Sequence, residues 1–110
     1  MRRLLILLLM SFCNNVGAAE DVFETDIYIE GHKFSPEEVK VPAGRKIRLI
    51  VHNKDETVEE FESIDLKREK IIPGNSSTHI ILAPLKPGEY TFFGEFHQDT
   101  AKGVIIASEE

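Results

Sequence analysis

The sequence predicts an all-β fold: a single antiparallel β-sandwich of about seven short strands with Greek-key connections. Three observations carry this. Apolar and polar residues alternate with a period of two over several short stretches. Pro-Gly pairs punctuate the chain at "IIPGN" and "LKPGEY", where Pro sets φ at one corner and Gly accepts a positive φ at the next. No stretch has the apolar spacing of a long amphipathic helix.

"VFETDIYIEG" (Val22 to Gly31) sets Ile27 and Ile29 against Asp26, Tyr28 and Glu30, the alternation of a half-buried strand. "GHKFSP" follows as a bend marked by Gly31 and Pro36, with Phe34 turned into the core. "EEVKVPAG" is a short strand closed by a Pro/Gly turn, and "RKIRLIVHN" places Ile47, Leu49 and Val51 on one face. "KDETVEEFES" (Lys54 to Ser63) reads as an acidic loop, and "DLKREK" (Asp65 to Lys70) as room for one helical turn. "STHIILA", "EYTFFGEF" and "GVIIA" complete the set of strands.

The first nineteen residues read as an address. Arg2 and Arg3 precede an apolar run, Leu4 to Met10, and the small residues of "VGAA" end it, the pattern of a cleavable signal peptide. The expected organisation is therefore a signal peptide over 1–19 and one domain over 20–110, exported to the periplasm. Cys13, the single cysteine of the chain, leaves with the leader. Phe12 before it is too bulky for a lipoprotein cleavage site. Disulfides, thiolate nucleophiles and thiolate metal sites are all excluded from a domain without a thiol. No segment of the mature chain is apolar for long enough to insert in a membrane as a helix.

The full chain has 13 Lys+Arg against 19 Asp+Glu, a net charge of −6 that becomes −8 once Arg2 and Arg3 are removed. So acidic a domain suits cations or a basic partner and excludes nucleic acid, which rewards basic patches. Arg45, Lys46, Arg48 and Lys54 cluster in sequence, but neighbouring acids break any basic stripe. Tyr90, Phe92, Phe93 and Phe96 read as core aromatics. No serine lies in a nucleophile-elbow context, so the chain is not expected to be an enzyme.

"VPAG" near the start and "PLKPGEYTFFGEFH" before the final strand give this chain its resemblance to the cupredoxins, small exported copper proteins. In that family a "PGxYxFxC" strand delivers a Cys, a His follows three residues later, and a Met usually closes the loop. A further His follows an earlier strand that ends in Asn. Here His97 stands in the place of the loop His, and Gly94 in that of the Cys. Thr100 or Ala101 replaces the Met, Asn53 matches the Asn, and Glu59 or Glu60 falls at the upstream His. A type 1 copper centre, which rests on the copper–thiolate bond, is therefore not expected.

The phrase "NKDETVEEFES" followed by "EFHQDTAKG" resembles a thiol-free cupredoxin branch found beside high-affinity iron permeases and among periplasmic iron- or copper-handling proteins. The resemblance implies metal ligands at His97, Glu95, Glu60, Glu62 and His32, with Glu59 less favoured. Imidazole with carboxylates suits a divalent transition ion, copper(II) or iron first among them. Glu95 and His97, two apart, share one side if the strand continues through them, and "EFE" puts Glu60 and Glu62 together around Phe61.

The expected function is capture of such an ion and delivery to a membrane iron or metal permease, or to another periplasmic metal-handling protein. The alternative is a metal-free cupredoxin-like interaction domain that docks through its acids. An acidic loop is usually just solvated. His52 and His79 lie in alternating strands and read as outward-facing surface residues.

Overall fold

A computed structural model describes residues 21–110. The signal peptide expected over 1–19, with Arg2, Arg3 and Cys13, lies outside the described residues. Nine strands follow in order: β1 (Val22–Glu30), β2 (Lys33–Ser35), β3 (Glu38–Pro42), β4 (Lys46–Asn53), β5 (Glu59–Ser63), β6 (Arg68–Ile72), β7 (Ser76–Leu82), β8 (Gly88–Gly94) and β9 (Lys102–Ser108). They form two sheets, ordered β2-β1-β4-β7 and β3-β9-β8-β5-β6. No described helix is long and apolar enough to cross a membrane.

The sandwich is the one the alternation predicts. Ile27 and Ile29 of β1 and Ile47, Leu49 and Val51 of β4 are all buried on the inner face of the first sheet. Phe61 of β5, Phe92 of β8 and Ile105 of β9 answer them from the second. At the centre Phe61 and Phe92 stack with ring centroids 5.0 Å apart, and Phe34 meets Phe92 edge-on at 4.9 Å. Each geometry satisfies the ring quadrupoles as well as burying area.

Several details differ from the sequence reading. The strand count rises because the bend "KFS" pairs with β1 as β2, and because "REKII" forms β6 where one helical turn was expected. The sheets are mixed: β1 runs parallel to β4, and β3 parallel to β9. The second half of the supposed acidic loop is a strand, β5, paired on both sides by β6 and β8. There its period-two pattern buries Glu59, Phe61 and Ser63 and turns Glu60 and Glu62 outward. A strand with a glutamate among its inward residues does not look like one in sequence, which is why it read as loop. Among the aromatics, Phe92 is core, but Phe96 is 48% exposed.

Candidate metal centre

One end of the sandwich gathers most of the chemistry. β8 ends at Gly94, and Glu95–His97 form a single 3-10 turn instead of extending the strand. Glu95 and His97 therefore do not share a strand face. The turn folds His97 back over the sheet end, where its backbone carbonyl accepts from the N–H of Ala101 at 2.8 Å.

Beneath His97 lies Glu59, only 2% exposed. Its Oε1 accepts from the backbone N–H groups of Glu60 and Phe96 at 2.8 and 2.9 Å. Its Oε2 lies 2.7 Å from His97 Nδ1. A buried carboxylate needs such partners, since unpaired it would carry a large desolvation cost. The space it occupies exists because residue 94 is glycine. A Cβ there would fall 2.6 Å from Glu59 Oε2 and 2.8 Å from the Ala101 side chain. Residues 59, 94, 97 and 101 thus converge, and the carboxylate fills the space a residue-94 side chain would need.

His32 arrives from the opposite sheet. It sits at the tip of the β1–β2 hairpin, and its ring stacks on that of His97 with centroids 3.6 Å apart and planes 14° from parallel. The Asp55 carboxylate receives the backbone N–H groups of Gly31 and His32 at 2.8 and 2.9 Å. Burial pushes the Asp55 carboxyl up, but those two N–H donors, then the charges of His32 and His97, outweigh it and hold the group below its ordinary value.

The other expected ligands lie apart from the imidazoles. Glu60 and Glu62 face outward from β5, on the side opposite Glu59, and meet Glu69 of β6. Carboxylate oxygens of these three lie within 4.8 Å of one another. The carboxyls of Glu60 and Glu62 are pushed above their ordinary value, by desolvation first, then by the negative charge of Glu69, with Glu95 adding to both. The five expected ligands therefore divide into an imidazole pair, His32 and His97, and an acidic face carrying Glu60, Glu62 and Glu95. An all-carboxylate face suits hard cations, whereas the imidazoles suit a borderline transition ion.

Glu59, Asp55 and Glu69 are the participants that sequence reading ranked low or missed. The first was legible only as the family's upstream His position; no spacing signalled the other two. His52 and His79 are on the outer face of the first sheet as expected, His52 joined to Asp26 and Ser77 at 2.8 Å each.

The cupredoxin-like domain family matches residues 3–107. The chain belongs to that family. An uncharacterized protein of Rickettsia prowazekii (strain Madrid E) is 58% identical over 90 residues, which cover 82% of this chain and 72% of that one. Among solved structures, the metal-binding domain of the Streptococcus pneumoniae Cu(I)-exporting P-type ATPase superposes with a TM-score of 0.70 at 14% identity, covering 84% of this chain and all (100%) of that one. Auracyanin A, a blue copper protein of Chloroflexus aurantiacus, gives 0.68 at 12%, covering 80% and 100% of the two chains. A purple cupredoxin from Nitrosopumilus maritimus gives 0.56 at 21%, covering 76% and 99%. At these identities the likeness is one of fold.

The cupredoxin-like domain here does not suit a thiolate copper centre. Gly94 offers no sulfur, and Glu59 and Ala101 leave no room for a side chain at that position. Imidazole and carboxylate are the donors that remain, and they fit a divalent transition ion of borderline softness.

Proposed function

We propose that this cupredoxin-like protein is exported and captures a divalent transition ion, copper(II) or iron, at the His32–His97 pair. It passes the ion to a membrane iron or metal permease, or to another periplasmic metal-handling protein. No catalytic step is assigned to it.

The observation that carries the reading is the Glu59–His97–His32 sequence of contacts. Glu59 Oε2, 2.7 Å from His97 Nδ1, accepts a hydrogen bond from an N–H at that nitrogen, which in the neutral ring leaves the Nε2 lone pair for a metal. A carboxylate behind a metal-binding imidazole fixes its tautomer and raises its basicity. The second imidazole lies against the first at 3.6 Å. The lone pairs of two nearly parallel rings lie in separate planes and do not converge on one point, so joint ligation requires one ring to turn. The leader pattern supports export, and the surplus of acids supports a cationic cargo.

Calorimetric titration of residues 20–110 with Cu(II), Fe(II), Mn(II) and Zn(II) tests this, with His97→Ala and His32→Ala in parallel. One-to-one binding that either substitution weakens by about tenfold or more, about 1.4 kcal/mol, is the expected result. Binding no tighter than millimolar overturns capture. It favours a metal-free interaction domain, a reading that the complete hydrogen bonding of Glu59 already accommodates.

A further inference from the structure

We propose that Asp55 is the positioning residue of the imidazole pair: by gripping the backbone of the β1–β2 turn it sets where the His32 ring lies. The consequence for metal binding rests on the capture reading above; the placement of the ring does not.

The turn between β1 and β2 has two residues, Gly31 and His32, with φ of 63° and 58°. A two-residue hairpin with positive φ at both positions favours Gly, Asn and Asp; His adopts such a φ more readily than most side chains, though less freely than Gly. Three hydrogen bonds hold the turn with a histidine in it. Asp55 Oδ1 and Oδ2 accept from Gly31 and His32, and the Thr100 hydroxyl donates to the His32 carbonyl at 2.6 Å. Thr100 belongs to the loop that also carries His97, whose carbonyl accepts from the N–H of Thr100 at 3.2 Å. Both imidazoles are thereby tied to one frame.

Asp55 is itself anchored. Its N–H donates to Asn53 Oδ1 at 3.0 Å, and its carbonyl accepts from the N–H of Asn75 at 2.8 Å. Asn53 is buried at the end of β4, and its amide donates to the carbonyls of Thr57 and Ile72 at 2.8 and 3.1 Å. A rigid path therefore runs from the sheet through Asn53 to Asp55 and on to His32. Each carboxylate oxygen receives one N–H group, so a side-chain amide in its place would set its NH2 against one of the two donors.

The test uses two readouts on the secreted protein. In its metal-free form, proton NMR reads the His32 ring, whose resonances are displaced by the ring current of His97. Asp55→Ala is expected to collapse that displacement while the methyl resonances of Leu49 and Ile105 stay in place. In Cu(II) titration Asp55→Ala is expected to weaken binding by about tenfold, as His32→Ala does, with the double variant no weaker than His32→Ala alone.

Unchanged His32 resonances in Asp55→Ala overturn the proposal, as does a Cu(II) loss that adds fully to that of His32→Ala. If the wild type takes no Cu(II), the capture reading fails and the ring-current result still decides the placement. Asp55→Asn, which retains one acceptor oxygen, is expected to give a partial displacement and keeps the test decisive where Asp55→Ala does not fold.

Discussion

Glu59 Oε2 and His97 Nδ1 meet at 2.7 Å beneath the end of the sandwich, and the glutamate is buried to 2% exposure. This pair closes the space bounded by Gly94 and Ala101. It fills the end of a cupredoxin-like sheet that has glycine at position 94 and no thiol among the described residues.

Removal of that carboxylate should be felt as stability. Glu59→Ala strands the N–H groups of Glu60 and Phe96 and leaves a gap beside Gly94. A fully buried donor left without a partner costs about 1–3 kcal/mol, and these two are part-buried, so chemical denaturation should show a loss of about 1–2 kcal/mol. Glu59→Gln keeps one acceptor oxygen and should lose less. Equal stability of Glu59→Ala and wild type would refute the structural role given to the pair.

Gly94 and Glu59 should be coupled. Gly94→Ala places a methyl group 2.6 Å from Glu59 Oε2, an overpacking that costs about 1–3 kcal/mol. The same substitution made in Glu59→Ala should cost measurably less, because one of the two obstructing groups has gone. Additive losses in the double-mutant cycle would show that the carboxylate does not occupy that space.

How far the site was legible follows from which signals are local. The alternation in "DIYIE" and "KIRLIV" and the Pro-Gly turns are local, and they located β1, β4, β7 and β8. His97 stands out because the resemblance sets the family's loop His three residues after position 94, a spacing that is local too. Glu59 was ranked low because a glutamate followed by two more acidic residues within "EEFES" looks solvated. Only pairing with β6 and β8 shows that its face points inward. Asp55 and His32 are 23 residues apart, and their contact depends on the parallel pairing of β1 with β4, which no sequence period announces.

The acidic face should make itself felt in the pH dependence. Glu60 and Glu62 have carboxyl pKa values raised above the ordinary 4.5, so the folded state holds their protons more firmly than the unfolded chain. Their contribution to stability is therefore greatest below pH 4.5, falls as pH rises through the raised values, and is constant above that window. Glu69→Gln removes the neighbouring charge that acts on both. This variant should be more stable than wild type at pH 7, with the difference shrinking on acidification through the same window. A stability gap independent of pH would mean the carboxylates do not interact.

Asp55 should oppose that trend at lower pH. Its carboxyl lies below the ordinary 3.8, so the stability it contributes is present above that value and is lost as pH falls through the lowered one. Acid unfolding of wild type and Asp55→Asn, followed by the fluorescence of Tyr28 and Tyr90, separates the two effects. The variant should start less stable at neutral pH, because one of two N–H acceptors is gone. Its curve should then lie flatter than that of wild type below pH 3.8. Parallel curves would place the acid-sensitive group elsewhere and remove the carboxylate charge of Asp55 from the account of the hairpin.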